Sequence, residues 1–332
     1  MKISIKYLAI LLSFTVMAGG TLSAQTFPSL LIGPDAVGSA CGAASAAKSE
    51  GASAMDGNVA LMSLQPNMLD AAVSFGKWQP DFADNTIVNA GVRYRVSDGL
   101  ALGLSFRDRL QNPYDITTST GTASRDGSYT PKEYNIAVGA SYAILPGLSA
   151  GVTLRYMFSD LAPEAKSSAF GVDIAAAYYL AAGRNGFSAG ISVNNIGTEL
   201  KYGENKYSLP SMVKAGAAYS YCLDAPAGES VRPRPCAGAP FKASGPSFVS
   251  VTAEVDALFA GAVMAGAGVE YSLRNSLFLR AGYHYGDSAK AVPSYASVGI
   301  GLGFYGVSVN ASYIFASDVL GNSFGVSLGY SF

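Results

Sequence analysis

From Ala71 to the last residue the chain alternates apolar and polar side chains, and the alternation is strictest at its end. Phe324, Val326, Leu328, Tyr330 and Phe332 share one parity; Ser323, Gly325, Ser327, Gly329 and Ser331 share the other. A period of two means a β-strand with one greasy and one polar face. The greasy face closes on an aromatic at the carboxyl terminus itself, a poor finish for a domain surrounded by water. Charged residues make up only 14% of the chain, whereas roughly 25% is usual in soluble domains. Yet past residue 24 no apolar run reaches the length of a spanning helix; the longest, Ala257 to Val269, is short and glycine-rich. Only helices and closed barrels satisfy every backbone group in lipid. The expected fold is therefore all-β, a transmembrane antiparallel β-barrel whose last strand sets Tyr330 and Phe332 in the interfacial girdle. A soluble all-β domain also alternates, but low charge and aromatic abundance argue against it.

The first residues read as a secretory signal peptide, 1–24. Lys2 and Lys6 precede an apolar stretch from Tyr7 to Met17, and Leu22-Ser23-Ala24 is the cleavage site. A membrane-anchor helix is the alternative, which the small-residue end disfavours. Cleavage removes two lysines and no acid, taking the formal charge from −1 to −3. Nucleic acid is not an expected partner of such a chain. The next segment, 25–70, is rich in Ala, Ser and Gly and nearly free of aromatics. It reads either as a flexible periplasmic lead or as a plug in the barrel mouth, and its small residues favour the plug.

The barrel itself occupies 71–332. Strands are expected near 71–79, 85–96, 99–108, 134–143, 147–157, 168–181 and 186–196, then 211–221, 247–258, 263–273, 276–285, 294–303, 305–315 and 323–332. That is about fourteen, each near the ten residues a tilted span needs. An even count puts both termini on the periplasmic side. The connections 96–99, 145–147, 273–275 and 303–306 then become short periplasmic turns. The longer connections 109–133, 159–167, 197–210, 286–293 and 316–322 fall outside. Two connections disobey: 222–246 is long but lands inside, and 259–262 is short but lands outside.

A charge in lipid costs roughly 2–4 kcal/mol at the midplane for Arg. Arg93, Arg95, Arg107, Arg155, Glu254, Asp256, Glu270 and Arg280 are accordingly expected in the lumen or near its rims. Cys222 and Cys236 flank a Pro/Gly-rich stretch. Oxidised, they would close it as a disulfide and leave Cys41 over; otherwise all three are thiols. No metal-ligand spacing, phosphate loop or dinucleotide fingerprint occurs. His284, Asp287 and Ser288 lie close in sequence, but nothing in their spacing demands a hydrolase. No catalytic, cofactor or metal site is expected, and the reading is not of an enzyme.

At the seventh strand the residues resemble a known family. Val193-Asn194-Asn195-Ile196-Gly197, Leu200-Lys201-Tyr202, Leu209-Pro210 and Val213-Lys214-Ala215-Gly216 look like the signature stretch of the PorV/PorQ proteins. These are outer-membrane barrels of Bacteroidetes, similar in architecture to the FadL fatty-acid transporters. The likeness resumes at Gly268–Tyr271 and Leu279–Tyr283 and runs to the end, covering the second half well and the first loosely. The segment 38–60 departs from the family's usual amino-terminal pattern. The resemblance implies a monomeric, fourteen-stranded barrel of the bacterial outer membrane, with Asn194, Asn195, Gly197, Tyr202 and Pro210 as signature residues. It implies a non-enzymatic part in type IX protein secretion, binding cargo carboxyl-terminal signal domains and translocon subunits through outer loops. The barrel-assembly machinery would engage the last strand. A FadL-like transporter of hydrophobic solutes is the alternative, and no cofactor is implied by either.

Overall fold

Alternating strands of this length can hide their polar edges only by pairing all the way round, and they do. The computed structural model describes residues 27–80, 84–117, 123–224, 246–287, 291–316 and 321–332. Fourteen strands form one closed antiparallel barrel. The first seven are β1 (Leu69–Trp78), β2 (Asn85–Arg95), β3 (Leu100–Leu110), β6 (Lys132–Leu145), β7 (Leu148–Ala162), β8 (Ala165–Ala182) and β9 (Asn185–Gly197). The others are β12 (Met212–Cys222), β13 (Phe248–Leu258), β14 (Val263–Leu273), β15 (Leu277–Gly286), β16 (Tyr295–Phe304), β17 (Val307–Ala316) and β18 (Ser323–Ser331). Closure comes from β18 pairing with β1, from Asp70 opposite Ser331 to Lys77 opposite Phe324. Phe332 adds its backbone, accepting from Met68 N at 2.7 Å and Leu69 N at 3.0 Å.

The pleat sorts the side chains as the alternation predicts. Phe75, Leu104, Leu154, Ile174, Val255, Leu302 and Leu328 stand exposed on the exterior, which in a membrane faces lipid. Tyr134 and Phe158 stack at 5.1 Å and Tyr156 meets Phe170 at 5.3 Å. These rings make an aromatic girdle toward the end away from the carboxyl terminus.

The two connections that break the simple rule are real. Cys222 pairs with Phe248 across β12 and β13, so the long connection lies at the carboxyl-terminal end. Gly261 N donates to Leu258 O at 2.9 Å in a tight turn at the opposite end. The strand count does not slip there. By the rule that short turns are periplasmic, the carboxyl-terminal end is the periplasmic one.

Three expectations need correction. The 159–167 stretch is not a loop: β7 and β8 continue to Ala162 and Ala165 and are 15 and 18 residues long. Beyond the membrane neither face must be apolar, so alternation weakens while the ladder goes on. The 109–133 and 197–210 stretches hold hairpins of their own, β4 (Tyr114–Thr117) with β5 (Ala123–Tyr129), and β10 (Leu200–Tyr202) with β11 (Asn205–Tyr207). Third, the first described residues do not lie at the periplasmic end. Phe27 packs with Met157, Ala169, Leu200 and Leu209 at the outer end. The chain then runs down through the lumen and enters β1 at the periplasmic end. No reading of β-strand parity covers that, because the segment crosses the barrel without being a strand.

This lumenal segment is short turns and helices: Pro28–Leu31, Ala36–Ala40, Gly51–Ser53, Ala54–Gly57 and Val59–Leu64. Asp35 caps the second by accepting from Gly38 N at 2.7 Å. Its side chains Met55, Val59, Leu61 and Met62 pack with Ala101 and Ala137 of the inner wall. Inward-facing glycines let the two backbones touch. A Cβ on Gly190 would sit 1.8 Å from Ala46 O, and one on Gly282 would sit 2.3 Å from Gly42 N.

Candidate functional site

The inward charges are matched by charges on the lumenal segment and neighbouring strands. Arg155 on β7 donates Nη1 to Asp56 Oδ1 at 2.9 Å and Nε to Asp173 Oδ2 at 2.7 Å. Glu270 on β14 takes Lys48 at 2.6 Å and Arg280 at 2.6 Å, and Arg280 also donates to Asn310 at 2.9 Å. Arg93 pairs with Asp70 and donates to Met62 O, Gln65 O and Asn67 O. Arg107 donates to Ser29 O at 2.7 Å and Ile32 O at 3.2 Å. Glu254 receives Ser45 N at 2.7 Å, Ala46 N, and Lys214 at 2.9 Å. Buried pairs of this kind stabilise weakly but penalise wrong registers, since breaking one strands a charge. Arg95, half-buried at the periplasmic end of β2, is apart from these networks.

The partners Asp56, Asp173, Asp70 and Lys48 were not singled out in the sequence, and Lys214 was named only within the signature stretch. The one available signal was rarity: Asp56, Asp173, Asp70 and Lys214 are each a lone charge in a run of small or apolar residues, and Lys48 has only Glu50 nearby. Burial pushes Asp56 up, but Arg107 and Arg155 overcome it and hold its carboxyl below the usual range. Burial likewise pushes Lys48 down, and Glu270 and Glu50 outweigh it, leaving its pKa raised. Both groups are therefore charged at neutral pH.

The signature residues build the exit of β9. Asn194 and Asn195 form a β-bulge opposite Asp173, where the β8–β9 register shifts between Val172 and Ile174. Asn195 takes the left-handed conformation, φ 58°. Its N–H donates to Asp173 Oδ1 at 2.7 Å and its amide to Pro210 O at 3.1 Å. Gly197 crosses β8 so closely that a Cβ would lie 1.9 Å from Phe170 O. The bulge turns the chain into the β10–β11 hairpin, where Tyr202 packs on Tyr207 at 5.7 Å. Asp173 thus carries both the bulge and Arg155, and Arg155 holds Asp56. A continuous polar chain joins the outer hairpin to the lumenal segment.

Below that hairpin lies a small polar chamber. Its wall brings together Arg107, Arg155, Lys214, Asp56, Asp256 and His284. His284 stacks on Tyr295 at 4.8 Å, and its Nδ1 lies 3.3 Å from Gly42 O. It packs against the lumenal segment; Ser288 lies outside the described residues. Among the described residues no cluster of His, Cys, Asp and Glu is arranged to hold a metal ion.

Cys41 and Cys222 are buried free thiols, and Cys236 lies outside the described residues. Burial pushes the Cys41 thiol up to about 11. Native protein at pH 8 should leave Cys41 and Cys222 unlabelled by a thiol reagent, with both labelled after unfolding; mass spectrometry of the adducts checks this.

The family model of the type IX secretion system protein PorV matches residues 20–231. The match therefore lies in the first two-thirds of the chain, including the segment that departs from the expected pattern, and not chiefly in the second half. No individually curated protein sequence matches the chain. Among solved structures, the Pseudomonas putida toluene transporter TodX superposes with TM-score 0.58 at 13% identity, covering 91% of this chain and 99% of that one. The Ralstonia pickettii toluene transporter TbuX gives TM-score 0.56 at 11% identity, with coverage of 91% and 99%. At such identity the likeness is one of fold. The strands, their closure and the family match together place this chain in the PorV family, as an outer-membrane component of type IX protein secretion.

Proposed function

We propose that the protein docks the carboxyl-terminal signal domain of secreted cargo on its tall outer wall and presents it to translocon partners. The supporting observation is the asymmetry of the outer rim. On one side β7 and β8 rise well past the roughly ten residues a span needs, and the β4–β5 and β10–β11 hairpins stand with them. Tyr114 donates its hydroxyl to Leu161 O at 2.7 Å, bracing one hairpin on that wall. Lys201 N donates to Ser167 Oγ at 2.8 Å, bracing the other on β8. On the opposite side β13–β14 close in a tight turn. A ledge of ordered β-structure beside a low rim suits a folded protein partner. The lumenal segment acts as a plug, so cargo passes beside the barrel and not through it.

The test is capture from native outer membranes with the tagged full-length barrel. Secreted proteins bearing the signal domain and translocon subunits should be recovered. Replacing Leu200–Tyr207 by a two-residue turn should lower cargo recovery about tenfold, the effect of losing one well-packed contact cluster. The variant's heat-shifted band on a denaturing gel should stay unchanged. Recovery of neither cargo nor translocon overturns the proposal. The alternative, transport of hydrophobic solutes, draws on the fold shared with TodX and TbuX. The ionic wall of the chamber disfavours it.

A further inference from the structure

Two walls around the polar chamber carry charge, and only one of them is balanced. On the β3, β7 and β8 side, Arg107 and Arg155 face Asp56 and Asp173. Arg155 contacts both acids, and Arg107 acts on Asp56 as well. Across the lumen, β12 and β13 set one cation against two acids. Lys214 lies in register with Asp256, yet its Nζ turns to Glu254 Oε1 at 2.9 Å and Ser45 Oγ at 2.8 Å. Glu254 also receives Ser45 N at 2.7 Å and Ala46 N.

Asp256 is left over. Among the described residues no ion pair includes it, and its Oδ1 has no hydrogen-bond partner although the residue is only 7% exposed. A carboxylate taken out of water without a counter-charge is among the costliest groups to bury. Arg107 lines the same chamber without reaching it, and Arg107 Nε and His284 Nε2, both buried, have no partner either. Buried polar atoms are satisfied by protein, by water or by a ligand. These three belong to residues that line one cavity, which has room for about two water-sized particles. The charge left to match is a single positive one.

We propose that the chamber holds one small monovalent cation, sodium or potassium, against Asp256, with water completing its shell. Without the ion, Asp256 competes with Glu254 for Lys214, and Glu254 is the carboxylate that holds the backbone of Ser45 and Ala46. The ion therefore helps to seat the lumenal segment. A divalent ion would overshoot the charge, and among the described residues no group of three His, Cys, Asp or Glu is placed to hold one. The site is separate from cargo docking and needs no partner.

Urea unfolding of the full-length protein in detergent, followed by a probe on the lumenal segment, tests it. Sodium or potassium is replaced stepwise by N-methylglucamine, a cation too large for the chamber, at fixed pH and ionic strength. The small ions should strengthen docking saturably, about tenfold in equilibrium constant at roughly ten times the Kd. Equilibrium dialysis against radioactive sodium or rubidium should find one ion per barrel. Asp256→Asn should erase both the dependence and the bound ion. Met264→Lys places an ammonium in register with Asp256. It should dock in N-methylglucamine as firmly as the unaltered protein does in sodium, and it decides the matter if the Asn variant fails to fold. Docking that ignores sodium and potassium overturns the proposal, and docking that follows pH alone puts a proton on Asp256 in place of the ion. A cation dependence that survives Asp256→Asn overturns it equally.

Discussion

Gly190→Val is expected to expel the middle of the lumenal segment while leaving the barrel closed. The Cβ alone would sit 1.8 Å from Ala46 O and 2.7 Å from both the Ala46 carbonyl carbon and Asn58 Nδ2. None of these can yield cheaply. Ala46 N is held by Glu254, and Asn58 Nδ2 is bonded to Ala46 O at 2.7 Å. The strand itself accepts the change, because Gly190 pairs with Ala177 and Gly216 through backbone and a β-branched residue suits a strand. Conductance should rise on the order of tenfold, since an emptied barrel of this size leaves an aqueous channel. Protease added at the periplasmic side should cut between residues 27 and 68. Gly76→Ala is the control: its new methyl meets nothing closer than 3.7 Å and should change neither readout. An uncut Gly190→Val barrel with unaltered conductance would show that the segment is not seated as described.

Arg155→Met should cost about 3–5 kcal/mol of docking stability, because it leaves Asp173 buried without its cation and Asp56 with Arg107 alone. The loss should spread outward. Asp173 also holds the Asn195 bulge, so the β10–β11 hairpin should loosen with the segment, read as faster amide exchange in Leu200–Tyr207. The pH response should change too. In the unaltered protein the Asp56 carboxyl is held low, so its contribution is fully present above the ordinary carboxylate value of about 3.9. It fades only as pH falls through the lowered value. Removing Arg155 removes one of the two charges that hold it low. The segment should then come undocked at a higher pH than in the unaltered protein. Chemical denaturation followed by a probe on the segment, repeated from pH 7 to pH 3, measures both effects. Unchanged midpoints at every pH would remove Arg155 from the account.

Much of the barrel was legible because lipid enforces a local rule. Each wall residue has one face in hydrocarbon, so period two survives in every spanning stretch and marks it, from Val73 and Phe75 in β1 to Leu328 and Tyr330 in β18. The same rule sends Arg93, Arg107, Arg155 and Arg280 inward. It stops at the membrane boundary, which is why the tops of β7 and β8 read as a loop and why the β4–β5 and β10–β11 hairpins went unseen. The signature residues announced a family. Their sequence did not say that Asn194 and Asn195 bulge against Asp173.

By itself, then, the amino-acid sequence determined the membrane-spanning strands, their parity, the sign of each face and the place of the long 222–246 connection. These follow from side-chain period and the cost of charge in lipid, both properties of neighbouring residues. Tertiary structure alone decided what fills the lumen and how. Lys48 meets Glu270, Asp56 meets Arg155, Ala46 rests on Gly190, and Phe27 sits at the outer rim. Those pairings join residues about a hundred or more apart in the chain, and no local pattern encodes them. Only closing the sheet brings the walls to one segment, tight against the glycines of β9 and β14–β16.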